Sequence, residues 1–506
     1  MSGLAVGIGD VSQEQVQKMI EKMGHRGPDR SGVFAEPGVL VGQNYRRADI
    51  GPDHRTVAVP AVDRSDNPRA IAYDGEIGNC RELCGKFGVT DGPLCAERLL
   101  LELFRSRGAE MPALLTDAVF AFVIAGKDGF FAARDLLGIK TLFYGRKNDG
   151  LFFASELKGI LAVTDEVYEF PPGHMMDAEG GLKPFASLPD KLPDRWETDE
   201  DRAVGEVRRI IEKSFDSRVD FSFETGSLLS GGIDSSVIAM LGSRAYKKRF
   251  GQTARIKTFA LGMGESEDIV AARKVAEAID SEHHEVIVEL EDALAVIPDV
   301  VYHLENFDPS LVRSAVSNFI ISGYAKQKGI EVLLSGEGGD EVFCGYLYLK
   351  EKPPEALFDG QIECLKFLHN NAALRLDRMN QCNGIRVVTP LISGELLGYA
   401  LGLAPELKQK PDAGGKMEKW VFRKAFEDRL PSEVVWRLKQ EFSQGSGSAA
   451  LLPKHFESLI PDEELAAVQQ KYPKVRSKEE LYYFRIFTEQ FGDGLAVDTV
   501  CQWVSL

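Results

Sequence analysis

Leu228-Leu-Ser-Gly-Gly-Ile-Asp-Ser-Ser236 ends a short apolar stretch and opens onto SSVIAMLGSRAY, which reads as a helix. Glycines and hydroxyls at a strand-to-helix turn suit an anion. Gly231 and Gly232 let the backbone approach phosphate oxygens, the free amides and positive dipole end of the helix face the same way, and Ser230, Ser235 and Ser236 can donate hydroxyl hydrogen bonds. Asp234 is an acid among donors suited to phosphate, which makes sense if it holds Mg²⁺ that bridges to the phosphate oxygens. An ordinary glycine turn with a Ser/Asp cap shares part of this pattern. It does not require strand, glycines, hydroxyls and acid in this order.

Working outward, GSLLS, IKTFALG, HHEVIVE and GIEVLLSG are short buried-strand patterns, each followed by a helix-like stretch, from Val204 onward. Strand and helix in alternation predict a parallel sheet covered on both faces. Roughly the last 150 residues are mainly helical by pattern. After GIEVLL comes a second glycine-rich turn, Leu334-Ser-Gly-Glu-Gly-Gly-Asp-Glu-Val-Phe-Cys-Gly-Tyr346, with three acids. Acids packed so densely repel, so a metal or a cationic group is expected between them. Asp340 is placed to share Mg²⁺ with Asp234 at the carboxyl edge of the sheet.

Toward the N-terminus, residues 1–190 hold apolar runs separated by turn residues (VLVGQNY, AIAYDG, AVFAFVIAG, GFFAAR, TLFYG, LFFAS), the pattern of an antiparallel β-rich domain. One helix is predicted among them, in PLCAERLLLELFRSRG. Residues 191–203, rich in proline and charge with the residues before them, read as a linker, and 204–506 as the second domain. The 506 residues are 44% hydrophobic and 27% charged, with a formal net charge of −17. That balance disfavours nucleic acid or an anionic membrane surface as partner. With no bilayer-length apolar run and no basic, cleavable leader, the expected location is cytoplasmic. The seven cysteines show no CxxC spacing and no company of histidines, so free thiols are expected rather than disulfides or a zinc site.

SGGIDS resembles the SGGxDS loop of the ATP pyrophosphatases, which implies cleavage between the α and β phosphates, an adenylate, and pyrophosphate held by the loop. Nearly the whole chain is similar to the glutamine-dependent asparagine synthetases, through SGEGGDEVFCGYLYLKEKP, SEDIVAARKVAEAIDSEHHEV, KMEKWVFRKAF and LPSEVVWRLKQEFSQG. The resemblance implies that Leu228, Ser230, Gly231, Gly232, Asp234, Ser235 and Ser236 bind the nucleotide, chiefly its phosphates. Leu261, Ser335 and Gly336 would line the adenosine. Glu337 would guide the nitrogen nucleophile, Lys439 would stabilise charge at the reacting phosphate and carbonyl, and Arg313 would take the substrate carboxylate. FSQGSGS after Lys439 has the composition of a loop that closes over a site. ATP and Mg²⁺ are the implied cofactors, aspartate and ammonia the implied substrates, and a homodimer is within scope.

HRGPDRSG, DGEIGNCREL, ARDLLGIKTLFYG and FASELKGI resemble the glutaminase domain of the same family, which implies an N-terminal-nucleophile hydrolase sandwich. In that family a Cys follows the initiator Met; here Ser2 does. Asp74 replaces an Asn that donates to the oxyanion, Cys95 replaces the acid that pairs with the ammonium of glutamine, and Arg46-Arg47-Ala48 only loosely represents Arg-Leu-Ser. The expectation is a front domain without glutaminase activity and a synthetase that uses free ammonia, favoured by alkaline pH. RVVTPLIS stands where the family has ExRVPFLD, which leaves open a different carboxylate, as in β-lactam synthetases. A paralogue that binds nucleotide without turnover is the non-enzymatic alternative.

Overall fold

Short apolar runs broken by turns build the front of the chain, and strand–helix alternation builds the rest. The computed structural model describes residues 2–51, 55–63, 65–179, 181–262, 266–412, 415–439 and 448–502. One compact unit comprises Met1–Leu188, Leu368–Asn370 and Thr488–Cys501; the other comprises Pro189–Phe367, Asn371–Phe487 and Gln502–Leu506.

The first unit holds two six-stranded antiparallel sheets. One runs Val167–Glu169, Phe143–Lys147, Gly150–Ala154, Gly3–Ile8, Val39–Tyr45, Arg30–Glu36 across its width; the other runs Leu182–Pro184, His174–Asp177, Gly129–Arg134, Ala118–Gly126, Ala70–Ile77, Ala61–Val62. Leu4, Val6 and Val41 from one sheet meet Ala72, Val123 and Ala132 from the other in a shared core, the arrangement of a sandwich. The opposite face of the second sheet, with Tyr73, Phe122 and Phe131, is covered by Leu83 of the helix Cys80–Phe87 and by Leu99, Leu100 and Leu103 of the helix Cys95–Arg107. The sequence pattern predicts only the second of these helices and does not predict Gln13–Lys22. Gln13–Lys22 carries a readable start, since Ser12 and Gln15 form a reciprocal capping box. Cys80–Phe87 has only eight residues, one of them Gly85, too short for a periodic signal.

The second unit is built on a five-stranded parallel sheet in the order Glu282–Ile287, Lys257–Gly262, Thr225–Leu228, Val332–Leu334, Arg386–Val388. The fifth strand is not predicted by the sequence pattern. It falls in RVVTPLIS and is three residues long, below the length at which alternation shows. The helix Glu200–Arg218 begins inside the stretch expected to be linker, started by the Asp199 side chain, which accepts from the Arg202 amide. From the central strand Thr225–Leu228 the chain proceeds to one side and later returns to the other. The loops after Leu228 and Leu334 therefore flank the point where strand order reverses, the place where open parallel sheets bind ligands. Among the described residues no helix is long and apolar enough to cross a membrane.

Candidate active site

Gly231 adopts φ +74°, and a Cβ there would lie 2.5 Å from Ala271 Cβ, so only glycine lets the turn seat against the helix Glu267–Ile279. Gly232 then caps the helix Ile233–Phe250. Ser235 Oγ accepts the Ser230 N–H at 3.1 Å and lies 3.0 Å from Ser230 Oγ, which fixes the width of the turn. A cleft at the carboxyl ends of the strands is lined by Leu228, Ser230, Gly232, Asp234, Ser235, Leu261, Ser335, Gly336, Glu337, Asp340 and Lys439, all of them expected from the sequence.

Three expected residues do not line it. Gly231 is used in packing the turn. Ser236 Oγ is buried and donates to Gly232 O at 2.7 Å, inside its own helix. Arg313, expected to take the substrate carboxylate, donates from Nε to Glu479 Oε1 at 3.0 Å, so its charge already has a carboxylate partner. Of the expected closing loop FSQGSGS, residues 442–447 lie outside the described residues.

The cleft's charges are arranged around a lysine that the sequence does not single out. Lys419 Nζ is fully buried, 2.5 Å from Asp234 Oδ2 and 2.7 Å from Asp340 Oδ1, and Lys439 Nζ is 2.8 Å from Asp340 Oδ2. The glycines of the second turn make this possible. A Cβ at Gly339 would lie 2.1 Å from Asp234 Oδ1, and one at Gly345 would lie 2.0 Å from Lys419 Cε and 2.2 Å from Asp340 Oδ1. Burial alone would raise the Asp340 carboxyl, but Lys419 and Lys439 outweigh it and hold it well below the usual carboxylate range. Burial likewise works against charge on Lys439, and Asp340 and Asp234 overcome it, so the ammonium is kept.

Asp340 Oδ2 is taken by Lys439, while Asp234 Oδ1 and Asp340 Oδ1 are both buried without a hydrogen-bond partner among the described residues, Asp340 Oδ1 lying 2.7 Å from Lys419 Nζ as an ion pair. A hard oxygen of this kind, beside a turn shaped for phosphate, fits Mg²⁺.

Glu337 is held by Arg375, whose Nη2 lies 3.0 Å from both carboxylate oxygens. Burial pushes its carboxyl up, with Arg375 working against the shift. Beneath it, burial and then Asp340 and Glu337 push Glu341 up to about 7, and Tyr346 Oη donates to it at 2.5 Å. Arg437 lines the cleft as well, 2.8 Å from Asp268. Arg375 leaves a signal in the sequence. It belongs to the helix Ala372–Gln381, whose polar run RLDRMNQ is buried at every position, and a polar helix without an exposed face has internal partners. Lys419 leaves none beyond its place in KMEKW.

In the front unit, Ser2 is buried and its N–H donates to Asp74 Oδ1 at 3.2 Å. Arg26 donates to Asp74 Oδ2 at 2.6 Å and to Glu156 Oε1 at 2.9 Å, and Lys158 lies 2.6 Å from Glu156 Oε2. Asp74, fully buried, thus accepts from groups on both of its oxygens. Arg46 is buried and lies 3.3 Å from Asp49. Cys95 lies beside two other thiols. All seven cysteines are free, as expected, but Cys80, Cys84 and Cys95 converge, which the spacing alone does not show.

Glu97, two residues on, is buried and its carboxyl is pushed up to about 7 by that burial. A raised carboxyl contributes stability that is fully present below its unfolded value, about 4.3, and lost as pH rises through the folded value. Glu97→Gln is therefore expected to gain on the wild type between about pH 5 and pH 8, by about 3 kcal/mol at the upper end. Denaturant unfolding of both proteins at the two pH values measures it. A difference that does not change with pH would remove the buried neutral Glu97.

Residues 206–362 and 351–494 match the family model described as asparagine synthase, and residues 1–179 match that of a glutamine amidotransferase domain. The chain is 32% identical to the glutamine-hydrolyzing asparagine synthetase 2 of Arabidopsis thaliana, over 99% of this chain and 89% of that one. It is 30% identical to the glutamine-hydrolyzing asparagine synthetase 1 of Saccharomyces cerevisiae, over 96% of this chain and 92% of that one.

Proposed function

Because this chain belongs to the asparagine synthetase family of ATP-dependent carbon–nitrogen ligases, we propose that it amidates aspartate through a β-aspartyl-adenylate, with free ammonia as nitrogen donor. The phosphates of ATP would rest on the turn from Ser230 to Ser235 and on the amino end of the helix it opens. Asp234 Oδ1 would hold Mg²⁺, which would supply positive charge beside the phosphates. Lys439, kept charged by Asp340, would face the α-phosphate as the aspartate carboxylate displaces pyrophosphate. Glu337, oriented by Arg375, would accept a proton from the ammonia that displaces AMP. Lys419 would hold Asp234 and Asp340 at fixed separation.

The observation that carries the ammonia reading is Asp74. A buried carboxylate bound by Arg26 and by the Ser2 amide cannot donate to an oxyanion, and it would repel one. Without hydrolysis of glutamine, nitrogen must enter as ammonia, and only the unprotonated form has the lone pair. Purified enzyme with ATP, aspartate and Mg²⁺ is expected to release AMP and pyrophosphate with ammonium salts and not with glutamine, faster as pH rises from about 7 toward 9. Glutamate release comparable to synthesis would sink this reading. The pairing of Arg313 with Glu479 favours one second reading, a carboxylate other than aspartate. A screen of amino acids for pyrophosphate release separates the two.

A further inference from the structure

Outside the ATP cleft the described residues bring together one cluster of soft donors. Cys80 and Cys84 stand one turn apart on the helix Cys80–Phe87, and i,i+4 spacing puts both on one face. Cys95 is the first residue of the helix Cys95–Arg107, directed inward by Leu94 at φ +55°. Cys84 Sγ lies 3.8 Å from Cys80 Sγ and 3.2 Å from Cys95 Sγ, and all three sulfurs lie within 4.8 Å of one another.

We propose that Cys80, Cys84 and Cys95 form a zinc site of three thiolates with an open fourth position. Tetrahedral zinc with Zn–S bonds of about 2.3 Å spaces its sulfurs about 3.8 Å apart, which is the Cys80–Cys84 separation of 3.8 Å, and the 3.2 Å between Cys84 and Cys95 would have to open to match it. A disulfide would use two of the sulfurs and leave the convergence of the third without a purpose. Cys80 and Cys95 each begin a helix and both are partly exposed, so an ion has an entry path.

Zinc takes its cysteines as thiolates, so binding releases protons and strengthens as pH rises. Zinc would tie together the two helices that cover Tyr73 and Phe122.

The test uses the reduced full-length protein, equilibrated with Zn²⁺, passed through a desalting column and assayed for metal. About one zinc per chain is expected, with a matching rise in the melting temperature of the front unit, as for any ligand that binds only the native state. Co²⁺ in its place should give thiolate charge-transfer absorption and a tetrahedral visible band. Cys80→Ser and Cys95→Ser should each weaken Zn²⁺ binding at least ~10-fold, and Cys382→Ser should not. If the buried Cys84→Ser variant does not fold, the other two variants carry the result. Wild-type metal content in both variants, no metal retained by the reduced wild type, or a Cys84–Cys95 disulfide with no uptake of Zn²⁺ after reduction would each overturn the site.

Discussion

Replacing Lys439 with Met is expected to lower kcat at least ~10²-fold with a smaller change in the KM for ATP, the effect of losing one preorganised charge contact in a transition state. Lys439 Nζ is anchored 2.8 Å from Asp340 Oδ2 and keeps its charge despite burial, so its position is set before substrate arrives. A charge that needs no reorganisation stabilises the negative charge that builds on the α-phosphate more than it stabilises bound ATP. The fold should survive, because Asp340 retains Lys419 as a partner at 2.7 Å. Steady-state pyrophosphate release, with circular dichroism as a control, measures both effects. Turnover within a factor of about three of wild type would make Lys439 a bystander.

Lys419→Met should act on stability first. Lys419 is fully buried and is the only lysine in contact with Asp234 among the described ion pairs, so its loss leaves a half-buried carboxylate without that partner. Breaking a fully buried pair costs about 3–5 kcal/mol, which is the upper bound here. The sign with pH follows from Asp340. Its carboxyl is held below the usual range, so the contribution of the lysines is present above the ordinary carboxylate value and lost as pH falls through the folded value. The penalty of Lys419→Met should thus be largest at neutral pH and shrink in acid. Adding Asp234→Asn to Lys419→Met should restore part of the stability but no activity, because the orphaned charge is gone and so is the proposed ligand for Mg²⁺. Denaturation of the single and double variants decides the matter. A Lys419→Met protein as stable as wild type would mean that the lysine is not held between the two acids.

Features written in neighbouring residues are legible from the order of residues alone. The turn from Leu228 to Ser236 is one, because strand, glycine, capping serine and helix follow one another and each constrains the next residue along the chain. The strands Ala118–Gly126 and Gly129–Arg134 are another, since a continuous apolar run bounded by glycines is enough to mark them. The three-residue strand Arg386–Val388 and the eight-residue helix Cys80–Phe87 are too short to print a period.

Which charges meet is decided by tertiary structure alone. Asp234 and Lys419 are 185 residues apart, Asp340 and Lys439 are 99 apart, and Arg313 meets Glu479 across 166. The sequence by itself singles out Asp234 and Asp340 as candidates, because acids crowded among glycines repel one another, and the family resemblance adds Glu337 and Lys439. It does not say that Lys419 sits between the two aspartates, that Arg313 is already paired, or that Cys80, Cys84 and Cys95 share one point. A side chain's partner is chosen by how distant loops and helices pack, and no local pattern carries that distance.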